Sequence, residues 1–183
     1  MTRRYSLAWS DGTIAIDGPI SGNAISAAVV RRTLCELQEE PALRVMIQSD
    51  GGSTDEGLAI FSLLRNTGKP IDVTVRWAGS MAGVIAMAGT RIRVQEGGGF
   101  GLHNARVTPV YLETAVNAGS HITAAQIMGM ARNLTAIDEM HVDIFQHRTG
   151  LDRHVIRSLR AAETAIDAQE AVRLGFADEV IDA

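Results

Sequence analysis

One cysteine, Cys35, and one lysine, Lys69, stand in 183 residues, and each scarcity excludes a chemistry. A lone cysteine allows neither an internal disulfide nor a cysteine zinc cluster within one chain. A serine–lysine hydrolytic pair would have to use Lys69, which falls at a predicted helix-to-strand turn. Positive charge is also short: the formal net charge is -4 and the pair Arg3–Arg4 is the only basic feature near the start, so the clustered cations that displace counterions from nucleic acid are missing. No apolar run reaches the roughly 18 to 20 residues that span a bilayer, and the opening MTRRYSLAWSDG lacks the apolar stretch of about 7 to 15 residues that marks a secretory leader. The expectation is a soluble, cytoplasmic protein with neither a nucleic-acid nor a membrane partner. Cys35 itself lies in the helical pattern AAVVRRTLCEL and is expected to be a small buried filler.

What is present is an ordinary globular composition, 46% hydrophobic and 21% charged with 18 glycines, in a length that suits one domain over 1–183. The alternating run TIAIDGPI reads as a strand and Asn23 to Glu39 as a helix. Leu43 to Gln48 is a second strand, followed by SDGGS and an amphipathic helix over Thr54 to Asn66. Ile71 to Val75 is a third strand, RWAGSMAGVIAMAG turns into a helix of small residues, and Arg91 to Val94 and Phe100 to Leu102 read as two short strands. Ala105 to Gly119 is irregular or partly β. Ile122 to His147 is one long helix with inward positions at Ile127, Ala131, Leu134, Ile137, His141 and Ile144. A helix near Asp167 to Leu174 and a strand ADEVI close the chain. Strand and helix alternate as in βαβ units, which predicts an α/β fold around a largely parallel sheet.

Ligands of such sheets bind outside the carboxyl ends of the strands, and three features fall there: Gly51–Gly52, Ser80 and His103. Ser80 opens a helix whose first N–H groups lack intrahelical partners, a setting for a nucleophile whose developing oxyanion needs donors. The same position suits a simple helix N-cap. The glycine pair permits unusual backbone angles and close approach of a substrate, or is an ordinary turn. His103, at the end of GFGLHNA, can serve as a base; His121, His141, His147 and His154 read as packing or surface residues. Asp138 with His141 is a lone i, i+3 pair, too little for a metal site.

Taken in order, these motifs resemble the proteolytic subunit of the Clp protease from about Thr13 to Asp182. The family's strand ending Ser-Pro-Gly-Gly corresponds to SDGGS, and its Ala-Ala-Ser-Met to AGSM. Its His-Asn context corresponds to LHN, the Thr-Gly after its long helix to Thr149–Gly150, and its Ala-x-Glu-Ala-x-x-x-Gly helix to AQEAVRLG. The stretch SMAGVIAMAG is also similar to phage Clp-like head-maturation proteases. The resemblance implies a ClpP/crotonase-like repeated ββα spiral with a protruding long helix. It also implies a serine endopeptidase acting on peptides or unfolded protein segments, without a cofactor or metal. Ser80 would be nucleophile, His103 base, and the N–H groups of Gly52 and Met81 the oxyanion hole. The family aspartate falls on Glu163, with Asp167 in reserve; helix capping is the other role open to both. Asp50 stands where the family has proline, Arg76–Trp77 where it has smaller residues, and Ala162 where an arginine often joins two rings.

As partners the resemblance implies further copies in a homo-oligomeric ring; against an ATPase unfoldase stand the fewer than about twelve residues before the first strand, which leave little for axial loops, and the hydrolysis step itself is expected to be ATP-independent. The stretch from Ala105 to Gly119 would shape specificity by pairing with the peptide as an added strand. Two alternatives stand beside this reading. One is an inactive structural ring subunit, motivated by Asp50, Arg76, Trp77 and Glu163; the other is a crotonase-like acyl-CoA hydratase or hydrolase, which shares the backbone oxyanion hole.

Overall fold

The computed structural model describes residues 13–107 and 122–182. Four parallel strands, β1 (Thr13–Asp17), β2 (Leu43–Ser49), β3 (Ile71–Gly79) and β4 (Arg91–Gly101), alternate with helices α1 (Ala27–Glu36), α2 (Thr54–Arg65) and α3 (Met81–Ala86). The long α4 (Ala124–Thr149) and α5 (Arg153–Ala161) follow, then β5 (Ala165–Asp167), α6 (Ala168–Arg173) and β6 (Glu179–Ile181). The sheet order is β1-β2-β3-β4-β5, with β6 parallel to β4 and β5 antiparallel to it. The fold is thus mixed α/β on a mostly parallel sheet, as the sequence predicts.

Period-two patterning explains the strands. In β2, Leu43, Val45, Ile47 and Ser49 are buried while Arg44, Met46 and Gln48 are exposed. Side chains that alternate in this way place one face on the core and the other outward. Helix α3 is different, since every residue from Met81 to Ala86 is buried. Its small side chains let it lie close beneath β3, where a larger residue at Gly83 would approach the Ala78 carbonyl.

Several elements differ from the sequence expectation. Arg91 to Val94 and Phe100 to Leu102 form one strand rather than two, because the register against β3 shifts: Val94 pairs with Val75 and Gly99 with Trp77. The extra residues of β4 are absorbed at Gly97, whose φ of 78° few other residues adopt. Helix α4 is shifted by two residues from the expected 122–147. It is fixed by a Thr123–Gln126 capping box and ended by Gly150 at φ 72°. Its apolar stripe is buried only at the carboxyl half, at His141, Val142 and Phe145, while Ile127 and Ala131 are exposed. The first half protrudes. Helix α5 and strand β5 were not expected. Cys35 is exposed, not buried, because α1 turns Val30 and Thr33 inward and carries Cys35 on another face. Among the described residues no helix is long and apolar enough to cross a membrane. Most of Ala105 to Gly119 and all of the segment before Thr13 lie outside the described residues, as does His121.

Candidate active site

Strand β3 runs straight into Ser80, which adopts φ 52° and ψ -123° before α3 begins. A β-carbon residue at positive φ is strained and persists only where its surroundings hold it. Here the Ser80 N–H donates to the Gly101 carbonyl at 2.8 Å, and Gly51 packs behind it. A β-carbon on Gly51 would stand 2.7 Å from Ser80 Cβ and 2.9 Å from the Met81 nitrogen. Ser80 occupies the N-cap position of α3, yet its hydroxyl makes no cap hydrogen bond. Capping therefore does not account for it. The neighbouring Met81 N–H is the first of the helix and has no intrahelical acceptor.

The Gly51–Gly52 turn is held by a residue the sequence reading passed over. The buried Ser49 hydroxyl donates to the Gly18 carbonyl at 2.6 Å and accepts the Gly51 N–H at 3.1 Å. Gly51 and Gly52 have φ of 95° and 148°, and a β-carbon on Gly52 would lie 2.1 Å from the Ile20 carbonyl oxygen. Only glycine fits this turn. Asp50 and Trp77, two of the departures from the family pattern, are joined to each other: Trp77 Nε1 donates to Asp50 Oδ1 at 2.9 Å.

Sheet register brings His103 and Glu163 to the same edge. Gly79 pairs with Gly101, Gly101 pairs with Ala165, and the Leu102 N–H donates to the Thr164 carbonyl at 2.9 Å. Ser80, His103 and Glu163 thus leave adjacent rungs, and all three line one cleft of about 290 Å³ with Asp50 and Trp77. His103 Nδ1 lies 2.6 Å from the Asn104 carbonyl oxygen. A carbonyl only accepts, so Nδ1 is the donor in this contact, and in the neutral ring that tautomer leaves the lone pair on Nε2. Among the described residues no hydrogen bond joins Ser80, His103 and a carboxylate. Glu163 Oε1 instead faces Arg106 Nη1 at 3.8 Å, an exposed pair of the kind that contributes little.

Glu163 sits at φ 51° for a local reason. Its N–H donates to the Arg160 carbonyl and the next N–H, of Thr164, to that of Leu159, so it is the left-handed residue closing α5, a place glycine usually takes. Asp167 caps α6, its carboxylate accepting the Glu170 N–H at 2.8 Å. That fulfils its capping alternative.

Behind the serine is a second, more enclosed cavity of about 250 Å³, which also reaches Gly52, Met81 and His103. At its back is Arg160, 1% exposed and invisible to the sequence reading. Its Nε and Nη2 donate to the His103 carbonyl, Nη1 to the Asp138 carbonyl, and Nη2 also to Asp138 Oδ1 at 2.6 Å, while His141 Nδ1 lies 3.1 Å from the same Nη2. Asp138 additionally accepts the Ala105 N–H at 2.7 Å. The i, i+3 pair Asp138 and His141 therefore converges on a guanidinium. Burial, the Arg160 charge and His103 push the His141 pKa down to about 4.

Comparison with known proteins gives the family. The family model described as Clp protease matches residues 1–183. A curated relative, the ATP-dependent Clp protease proteolytic subunit of Ligilactobacillus salivarius (strain UCC118), is 25% identical over 179 residues, covering 97% of this chain and 86% of that protein. The chain belongs to the Clp protease family, which supports a peptidase function.

Proposed function

We propose that this Clp-family chain is a serine endopeptidase that cleaves peptides or unfolded protein segments through an acyl-enzyme on Ser80. The observation that carries the reading is the Ser80 backbone: a strained serine at a strand-to-helix corner, free of capping duty, in one cleft with a histidine whose Nδ1 is held by the Asn104 carbonyl. His103 Nε2 takes the Ser80 hydroxyl proton as Oγ attacks the peptide carbonyl carbon. The oxyanion receives the N–H groups of Gly52 and Met81, and the positive end of α3 adds to them. His103 then returns the proton to the departing amine, and water, deprotonated by the same nitrogen, releases the acyl group. Glu163 is the residue we assign to orient His103, which requires it to leave Arg106. A groove of about 660 Å³ between Gly52–Asp55 and the Leu134–Ile137 stretch of α4 shares Gly52, Thr54 and Arg106 with the enclosed cavity that Ser80 lines, and it supports an extended peptide as substrate. Further copies of the chain in a ring are the partners this reading proposes.

A fluorophosphonate probe tests it. Labelling of the folded protein that disappears in Ser80→Ala, together with loss of peptide cleavage, is the expected result; an unlabelled wild type overturns it. A second reading, an inactive ring subunit, is favoured by one observation: Glu163 faces Arg106 and the His103 Nδ1 proton goes to Asn104 rather than to a carboxylate. It predicts a ring of normal size that neither labels nor cleaves.

A further inference from the structure

The enclosed cavity that Ser80 lines has apolar walls at Met81, Val84, Leu102 and Phe145 and a polar floor at His141 and Arg160, and the charged Asp50 and Arg106 also line it. The floor is built so that it offers a donor. Arginine only donates, so the 3.1 Å contact from Arg160 Nη2 makes His141 Nδ1 an acceptor and puts the ring's single proton on Nε2. That Nε2–H is buried and has no partner among the described residues, in a side chain only 7% exposed. Buried donors are nearly always satisfied, and one left bare beside a reactive serine calls for an acceptor brought by the substrate.

The charge balance decides what kind of acceptor. The Arg160 guanidinium is neutralised by Asp138 at 2.6 Å and its donors are directed to the His103 and Asp138 carbonyls, so the floor has no net charge to offer. A carboxylate at that floor would be desolvated beside an already neutralised guanidinium, the other cation of the lining, Arg106, being an exposed side chain that faces Glu163 at 3.8 Å. A neutral amide loses less and gains the hydrogen bond, while its methylene stem fits the apolar walls. We propose that His141 is a specificity-determining residue that selects substrates with glutamine or asparagine at the residue whose carbonyl Ser80 attacks, its Nε2–H donating to the side-chain amide oxygen. The proposal rests on the serine-peptidase reading above and deepens it.

The test uses four peptides identical except at that residue, which is glutamine, leucine, methionine or glutamate. Wild type is expected to favour glutamine over each of the others by about tenfold or more in kcat/KM, because an unfilled buried donor penalises the analogue that lacks the acceptor. In His141→Leu the glutamine-to-leucine ratio should fall at least about tenfold, and His141→Gln, which can again present an N–H, should recover part of it. Equal use of glutamine and leucine by wild type, or an unchanged ratio in His141→Leu, overturns the proposal.

Binding to Ser80→Ala, followed by the nitrogen-15 resonance of His141 Nε2, repeats the comparison without chemistry. Tighter binding of the glutamine peptide with a shifted resonance upholds the pocket even if Ser80 proves unreactive to the fluorophosphonate. Equal affinities with an unmoved resonance sink it even if Ser80 labels.

Discussion

Glu163 is held at φ 51° at the end of α5, where a glycine would relieve the strain of a β-carbon in the left-handed region. Glu163→Gly is therefore expected to stabilise the protein by about 0.5 to 1 kcal/mol, after allowing for the looser unfolded chain, as read from the urea midpoint. If Glu163 orients His103, the same change lowers kcat by at least about tenfold. A variant that is more stable and fully active would remove Glu163 from the acid role. Gly51 behaves in the opposite sense. Gly51→Ala brings a β-carbon to 2.7 Å from Ser80 Cβ at a φ of 95°, so it should cost about 3 kcal/mol and abolish fluorophosphonate labelling, with the far-UV circular dichroism retained at low temperature.

His141 gives a pH dependence whose sign is fixed. Its folded pKa, about 4, lies below the ordinary value of 6.5, so between these the unfolded chain binds the proton that the folded one refuses. Stability contributed by the neutral ring is complete above about pH 6.5, falls as pH drops, and is lost by about pH 4, for a total on the order of 3 kcal/mol. Urea unfolding at pH 7.5 and 4.5 should show this decline, and His141→Leu should show a smaller one.

At the scale of elements, β4 organises the site because β3 and β5 pair with its last residues on opposite sides. The contact with β5 tolerates no side chain: a β-carbon on Gly99 would stand 2.2 Å from the Ile166 carbonyl oxygen. Gly99→Ala is expected to detach β5 and carry Glu163 away from His103, which would appear as weaker amide-exchange protection at Ile166 and as lost peptide cleavage. An unchanged exchange pattern would show that β5 yields without leaving. The same elements explain what could be foreseen. Strands β1 to β3 were legible because Ile14, Ile16, Val45, Ile47, Val73 and Val75 alternate with less buried neighbours. Helix α5 was not, because RHVIRSLRA buries only Ile156 and Arg160, and a buried arginine has no apolar signature. Strand β5 has three residues, too few for any period to show.

Across the whole molecule, the candidate site was legible where one residue's chemistry and its local turn suffice, as for Ser80 and His103. It was illegible where the lining of the cavity depends on distant partners. Arg160 meets His103 and Asp138 at separations of 57 and 22 residues, which no spacing rule connects. Two aromatic contacts bind these regions together: Phe176 lies 5.7 Å from Phe100 of β4 and 5.5 Å from Phe145 of α4 between ring centroids. Phe176→Ala should cost about 3 to 5 kcal/mol, measured by chemical denaturation, and lower the glutamine preference because Phe145 walls the enclosed cavity.

The carboxyl-terminal segment that supplies Arg160, Glu163 and β5 is synthesised some sixty residues after His103. A nascent chain can therefore complete its strained serine corner well before the arginine that anchors the His103 carbonyl has emerged. If Ser80 is the nucleophile proposed above, such a chain on the ribosome would stay chemically silent until the segment carrying Arg160 and Glu163 has been made, so that an incomplete copy would pose no hazard to the proteins around it.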